Sequence, residues 1–153
     1  MKRLLVFILF VVGICGCGLM QPQLLSDVFG DSVEEVVIYS NKNNGVQNVN
    51  VVANGVGEII KFKREYVDTY LSQIGCIAGE CVILNSNVNI NEVLSVLNLK
   101  IISEEVFEEN KLITGYTYKL PTYLQSDLSK INIQILHTVD KIVVGYPLIM
   151  QGF

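Results

Sequence analysis

The sequence predicts an α+β domain: a mostly antiparallel β-sheet with two to three helices packed on one face. Three observations lead there. Strand-period runs outnumber helical ones, and most of them follow one another through short turns, as antiparallel neighbours do. Three stretches carry apolar residues at helical spacing, giving helices that are apolar on one side only. The chain ends in a long apolar hairpin, Lys130 to Met150, which needs a sheet and covering helices to bury it.

Taken in order, Gln21 to Gly30 is a linker passing into a short helix, with Leu24, Leu25 and Val28 at helical spacing and Gly30 at its end. Val33 to Ser40 is a strand. Asn41-Lys42-Asn43-Asn44-Gly45 is a turn, with Asn-Gly suited to positive φ. Val46 to Ala53 returns, Asn54-Gly55 turns again, and Gly57 to Phe62 is a third strand. Lys63 to Ile74 predicts an amphipathic helix with Tyr66, Val67, Tyr70, Leu71 and Ile74 on its buried face and Gly75 as its stop. Cys81 to Leu84 is a fourth strand. Asn89 then caps a helix, with Glu92 in capping-box position and Ile90, Val93, Leu94 and Leu97 as the apolar stripe.

Leu99 to Phe107 and Leu112 to Leu120 form a hairpin about Glu108-Glu109-Asn110-Lys111, and Pro121 to Ser129 is an irregular connector. In the closing hairpin Ile131, Ile133 and Ile135 alternate with Asn132 and Gln134. After a turn at Thr138–Lys141, Ile142 to Ile149 is the partner strand.

The chain has 153 residues, half of them hydrophobic, so a single core is attainable without staples. We divide it into a leader, residues 1–20, and one α+β domain, residues 21–153. Lys2-Arg3 before the apolar run Leu4 to Ile14 has the charged and hydrophobic regions of a secretory signal. Ile14-Cys15-Gly16-Cys17 resembles a bacterial lipobox, with Cys15 departing from the pattern at its middle position. That resemblance implies lipidation of Cys17 and a domain tethered outside the membrane. The alternatives are free secretion and retention of Leu4 to Met20 as an anchor, at the short end of the ~17–25 residues that span a bilayer.

All fifteen acidic residues lie in the domain, whereas two of the eleven basic ones lie in the leader. Nine against fifteen leaves the domain at −6, compared with −4 for the chain. Nucleic acid is therefore not an expected partner, because phosphate contacts need a concentrated basic surface. The one basic cluster, Lys61-Phe62-Lys63-Arg64, is read as a solvated junction. Cys76 and Cys81 flank four residues that include Gly79, and an oxidising exterior permits a disulfide worth roughly 2 kcal/mol by loop entropy. Two free thiols are the alternative.

No catalytic residue is nominated. The lone histidine, His137, follows the apolar series of its strand and has no identifiable orienting partner. The motifs of the familiar serine and zinc hydrolases are absent, and Gly55-Val56-Gly57 lacks the rest of a dinucleotide fingerprint. No metal site and no cofactor are implied. Glu104 and Glu108 could share a face near a turn; otherwise such acids keep a strand edge from aggregating.

Three segments carry a family resemblance: Leu112-Ile113-Thr114-Gly115-Tyr116-Thr117-Tyr118, Lys130-Ile131-Asn132-Ile133-Gln134-Ile135, and Val144-Gly145-Tyr146-Pro147-Leu148-Ile149. Together they resemble the closing part of the YwmB-like exported proteins of Gram-positive bacteria. The resemblance implies a fold like that of the TATA-box-binding protein, a curved antiparallel sheet with helices on its convex side, and it brings no catalytic residues with it. The expected function is that of a non-catalytic binding or accessory protein of the cell envelope, held at the membrane. Its partner would be an envelope protein or a cell-wall component, met through the sheet face or through the loops near Tyr116, Tyr118 and Tyr123. The alternatives are an envelope enzyme acting through Glu104 or Glu108 and a carrier of a small ligand.

Overall fold

A computed structural model describes residues 23–41, 45–46, 50–53, 57–122, 124–126 and 129–149. Within them the chain runs α1 (Leu25–Phe29), β1 (Val33–Ser40), β2 (Asn50–Ala53), β3 (Glu58–Lys63), α2 (Val67–Leu71), β4 (Ile77–Leu84), α3 (Ile90–Leu97), β5 (Lys100–Phe107) and β6 (Asn110–Tyr116). It closes with β7 (Leu124–Ser126), β8 (Ser129–Ile131), β9 (Ile133–His137) and β10 (Ile142–Tyr146). Eight strands form one sheet in the order β2-β3-β1-β4-β10-β9-β6-β5, and every pairing in it is antiparallel. The α+β prediction stands, with its order of helices and strands.

Among the described residues, α1, α2 and α3 face the same side of the sheet. Leu25 and Phe29 of α1, Val67 of α2, Ile74 just after it, and Val93 and Leu97 of α3 pack on Val36, Ile38, Ile60, Val82, Leu84, Ile113, Ile135 and Val144 in one continuous core. Side chains alternate across a strand, so Val37, Tyr39, Cys81, Ile83 and Val143 belong to the opposite face, where they form a second buried cluster with Ile149 packed against it. The central strands are therefore apolar on both sides. That is why β1, β4 and β10 contain unbroken runs such as Cys81-Val82-Ile83-Leu84. A cis peptide joins Tyr146 to Pro147, and Pro147–Ile149 returns over this second face.

Several boundaries differ from expectation for local reasons. The helix expected over 63–74 begins as a 3-10 turn, Arg64–Tyr66, before α2. Its tighter winding rotates Tyr66 off the buried stripe, leaving it 46% exposed against Tyr70, with ring centroids 6.0 Å apart. β4 starts at Ile77 rather than Cys81. The connector after Pro121 contains a small hairpin, β7 with β8. Ile131 closes that hairpin instead of sharing a strand with Ile133, because the chain breaks at Asn132. The strand expected from Val46 is present from Asn50, and residues 47–49 lie outside the described residues.

Candidate functional site

The two cysteines of the domain are free thiols, so the expected Cys76–Cys81 bridge is corrected. The segment between them is not a closing loop but the first half of β4. At the rise of an extended strand, Ile77 and Cys81 are separated by roughly 13 Å, about twice the span that a disulfide allows. Cys81 is fully buried. It accepts the Tyr39 hydroxyl at 3.5 Å, and its thiol lies 3.9 Å from the Leu148 carbonyl.

Of the tyrosines expected at an interface, Tyr116 ends β6 half-buried and Tyr118 follows it 69% exposed, while Tyr123 lies outside the described residues. Cys17 also lies outside them. Among the described residues no helix is long and apolar enough to cross a membrane, and no three His, Cys, Asp or Glu side chains are grouped to hold a metal ion.

The basic cluster is neutralised by its surroundings. Lys61 pairs with Glu35 at 2.7 Å, Phe62 turns into the core, and Arg64 donates to the Gly30 carbonyl at 3.3 Å. Lys63 and Arg64 then share an open cleft with Asp31, Glu34 and Glu65. Acids outnumber bases three to two along this cleft.

Glu104 and Glu108, the two acids expected to share a face near the turn, stand in different settings. Glu104 stands opposite Ile113 in the β5–β6 ladder and pairs with Lys111 at 2.7 Å. Glu108 is in the turn beyond, in a shallow cleft with Glu109, Asn110, Thr138, Val139 and Asp140. His137, at the end of β9, has Lys111 and Ile142 as its cross-strand neighbours. A cation and an aliphatic side chain orient no general base.

The carboxylate that the structure does single out is Glu80, which sequence reasoning missed. It is fully buried on the helix side of β4, where it accepts the backbone N–H groups of Leu25 at 2.5 Å and Ser26 at 3.0 Å. These are amides of the first turn of α1, which have no partner inside the helix. Burial pushes the Glu80 carboxyl above its ordinary range, and the neighbouring Ser26 and Leu25 pull the other way. The Ser26 hydroxyl is buried beside it, without a partner of good hydrogen-bonding geometry among the described residues. Shut off from solvent, Glu80 is a helix cap, not a catalytic acid. Its sequence signal was a charge at the parity of Val82 and Leu84.

One border of the sheet, β5, is widely exposed. β5 pairs only with β6 among the described residues, and every residue of it except Ile102 is exposed, including Ile101 (40%), Val106 (73%) and Phe107 (47%). No protein-family model matches this chain, and no curated protein or solved structure matches it either.

Proposed function

We propose that this is an exported, membrane-tethered protein of the cell envelope that binds a partner and does no chemistry of its own. The observation that carries the binding half is the open β5 edge, an eight-residue border strand with seven of its residues exposed, on both faces. Such an edge offers a row of backbone donors and acceptors to another chain. The export half rests on Lys2-Arg3, the apolar run Leu4 to Ile14, and Cys17 in its lipobox-like setting.

Kinship with the YwmB-like proteins, and with it a fold like that of the TATA-box-binding protein, belongs to the same proposal. Its support is the work done by the residues that carry the resemblance. Asn132 is wholly buried, donating to the carbonyls of Thr117 at 2.8 Å and Leu120 at 3.2 Å while accepting from the Thr117 amide at 2.8 Å. Thr117 donates its hydroxyl to Leu97 at the end of α3. A Cβ on Gly115 would meet Leu99 and the Lys100 carbonyl at 2.8 Å, and one on Gly145 would meet Ile149 at 2.6 Å. These residues hold the fold together and carry no chemistry.

Intact-protein mass spectrometry of the membrane fraction tests the tether. A mass matching cleavage before Cys17 plus a diacylglyceryl group is the expected result. An unlipidated chain in the medium would discard the tether.

A further inference from the structure

Resting on the binding-protein reading, we propose that the outer edge of β5 takes up an extended segment of a partner protein as a further strand, and that this segment places two consecutive basic residues beside two consecutive apolar ones. The register of β5 supplies the pattern. A bulge at Ile102 interrupts its first third, after which Ser103–Phe107 runs in unbroken register with Thr114–Asn110. Five regular residues are a typical strand length.

Within that run, Glu104 and Val106 face the helix side, in line with Ile113 and Lys111, whereas Glu105 and Phe107 face the other side with Leu112 and Asn110. An added strand therefore meets a carboxylate and then an apolar side chain on each face. Two adjacent basic residues, one per face, fall beside Glu105 and beside Glu104, whose carboxylate would then be shared with Lys111. Two adjacent apolar ones answer Val106 and Phe107, which are 73% and 47% exposed.

The charge at this end has one sign in excess. Glu108 and Glu109 form the turn beyond Phe107, and Asp140 lines the same cleft from the neighbouring turn. Lys111 is already engaged with Glu104. The same acids argue against a second copy of this chain as the occupant. Pairing Ser103–Phe107 antiparallel with itself in full register sets Glu105 against Glu105, and like charges directly opposite are destabilising, whereas opposite charges contribute about 0.2–1 kcal/mol per pair. So the acids that keep the edge from pairing with itself also select a basic strand.

The test uses the full chain and an acetylated octapeptide with two valines followed by two lysines at its centre, the order suited to antiparallel addition. Two control peptides carry glutamates in place of the lysines or N-methyl groups on alternate amides. Hydrogen exchange is read by mass spectrometry and binding by fluorescence anisotropy of the labelled peptide. The lysine peptide is expected to slow exchange across Ser103–Phe107 and to leave the opposite edge, β2, unchanged, while neither control binds. Glu105→Lys, on an exposed position, should weaken the lysine peptide at least tenfold, leave the melting temperature unaltered, and gain binding to the glutamate peptide. Unchanged exchange at β5 would overturn the proposal, as would binding that survives N-methylation, which would mean charge attraction without a ladder. A chain that protects β5 but is not lipidated fails the tether alone. A lipidated chain with an unprotected β5 fails this proposal alone.

Discussion

Glu80 and Asn132 are polar side chains with no exposed surface, and each is held by backbone groups of a different segment. Glu80 joins β4 to the start of α1 through the Leu25 and Ser26 amides. Because burial raises its carboxyl above the ordinary value of 4.5, the sign of its effect on stability follows. Below pH 4.5 the folded and unfolded chains are both protonated at this group. As the pH rises, the unfolded chain ionises first, so stability falls until the folded carboxyl ionises too. Glu80→Gln removes that component. In urea titrations, the stability of wild type minus that of Glu80→Gln should decline from pH 4.5 towards neutrality, and a flat difference would rule out a raised carboxyl. Asn132→Ala leaves the Thr117 amide and the carbonyls of Thr117 and Leu120 buried without that partner, and should cost about 2–5 kcal/mol in the same assay. In the sequence Glu80 shows only as a charge at the parity of buried residues, with nothing to name its partner, and the role of Asn132 does not show at all. Asn132 sits where the period-2 pattern predicts a solvent-facing residue, and its burial depends on the 117–120 loop folding over it, a long-range event that local alternation does not encode.

The elements most legible in the sequence were those whose signals are local. α3 is the clearest: Asn89 accepts the Asn91 amide at 2.8 Å, Glu92 accepts the Asn89 amide at 3.2 Å, and Val93 and Leu97 are buried as their spacing required. Asn89→Ala should lower stability by about 1 kcal/mol, seen as a shift in the denaturation midpoint with an unchanged slope. The β5–β6 turn was legible in place but not in register. Asn110 already pairs with Phe107, leaving Glu108 and Glu109 as a two-residue loop. Glu108 takes φ 55° there, and among the described residues Glu109 is not in the positive-φ region. In a hairpin with positive φ at the first loop position alone, glycine is the favoured residue. Glu108→Gly should therefore raise stability by about 0.5–1 kcal/mol, the relief of left-handed strain exceeding the added freedom of the unfolded chain. Thermal unfolding checks the sign, and a loss would mean that the glutamate side chain stabilises the turn. α2 was less legible, since an amphipathic stripe does not separate a 3-10 turn from an α-turn over so short a stretch.

At the scale of the molecule, the strand order places the end of the chain in the middle of the sheet. β10 lies between β4 and β9, so the pairing of Val144 with Val82 on one side and Ile135 on the other joins the strands before α3 to those after it. Tyr146 adds a further tie by accepting the Thr122 amide at 2.9 Å. The apolar runs in β1, β4 and β10 signalled central strands. Their order was not legible, because antiparallel strands of similar composition leave many registers open until the whole core is assembled. This order predicts one cooperative unit, not two halves that open separately. Val144 is fully buried in the core that the helices cover, and Val144→Ala should cost about 1–3 kcal/mol by lost burial and incomplete collapse. In native-state hydrogen exchange, the slowest amides of β1–β3 and of β5–β6 should lose protection together and by the same amount, because the strand that joins them has been weakened. If β5, β6 and β9 lost protection while β1, β3 and β4 kept theirs, β10 would belong energetically to one half alone. The sheet would then be two units that share a border rather than a single domain.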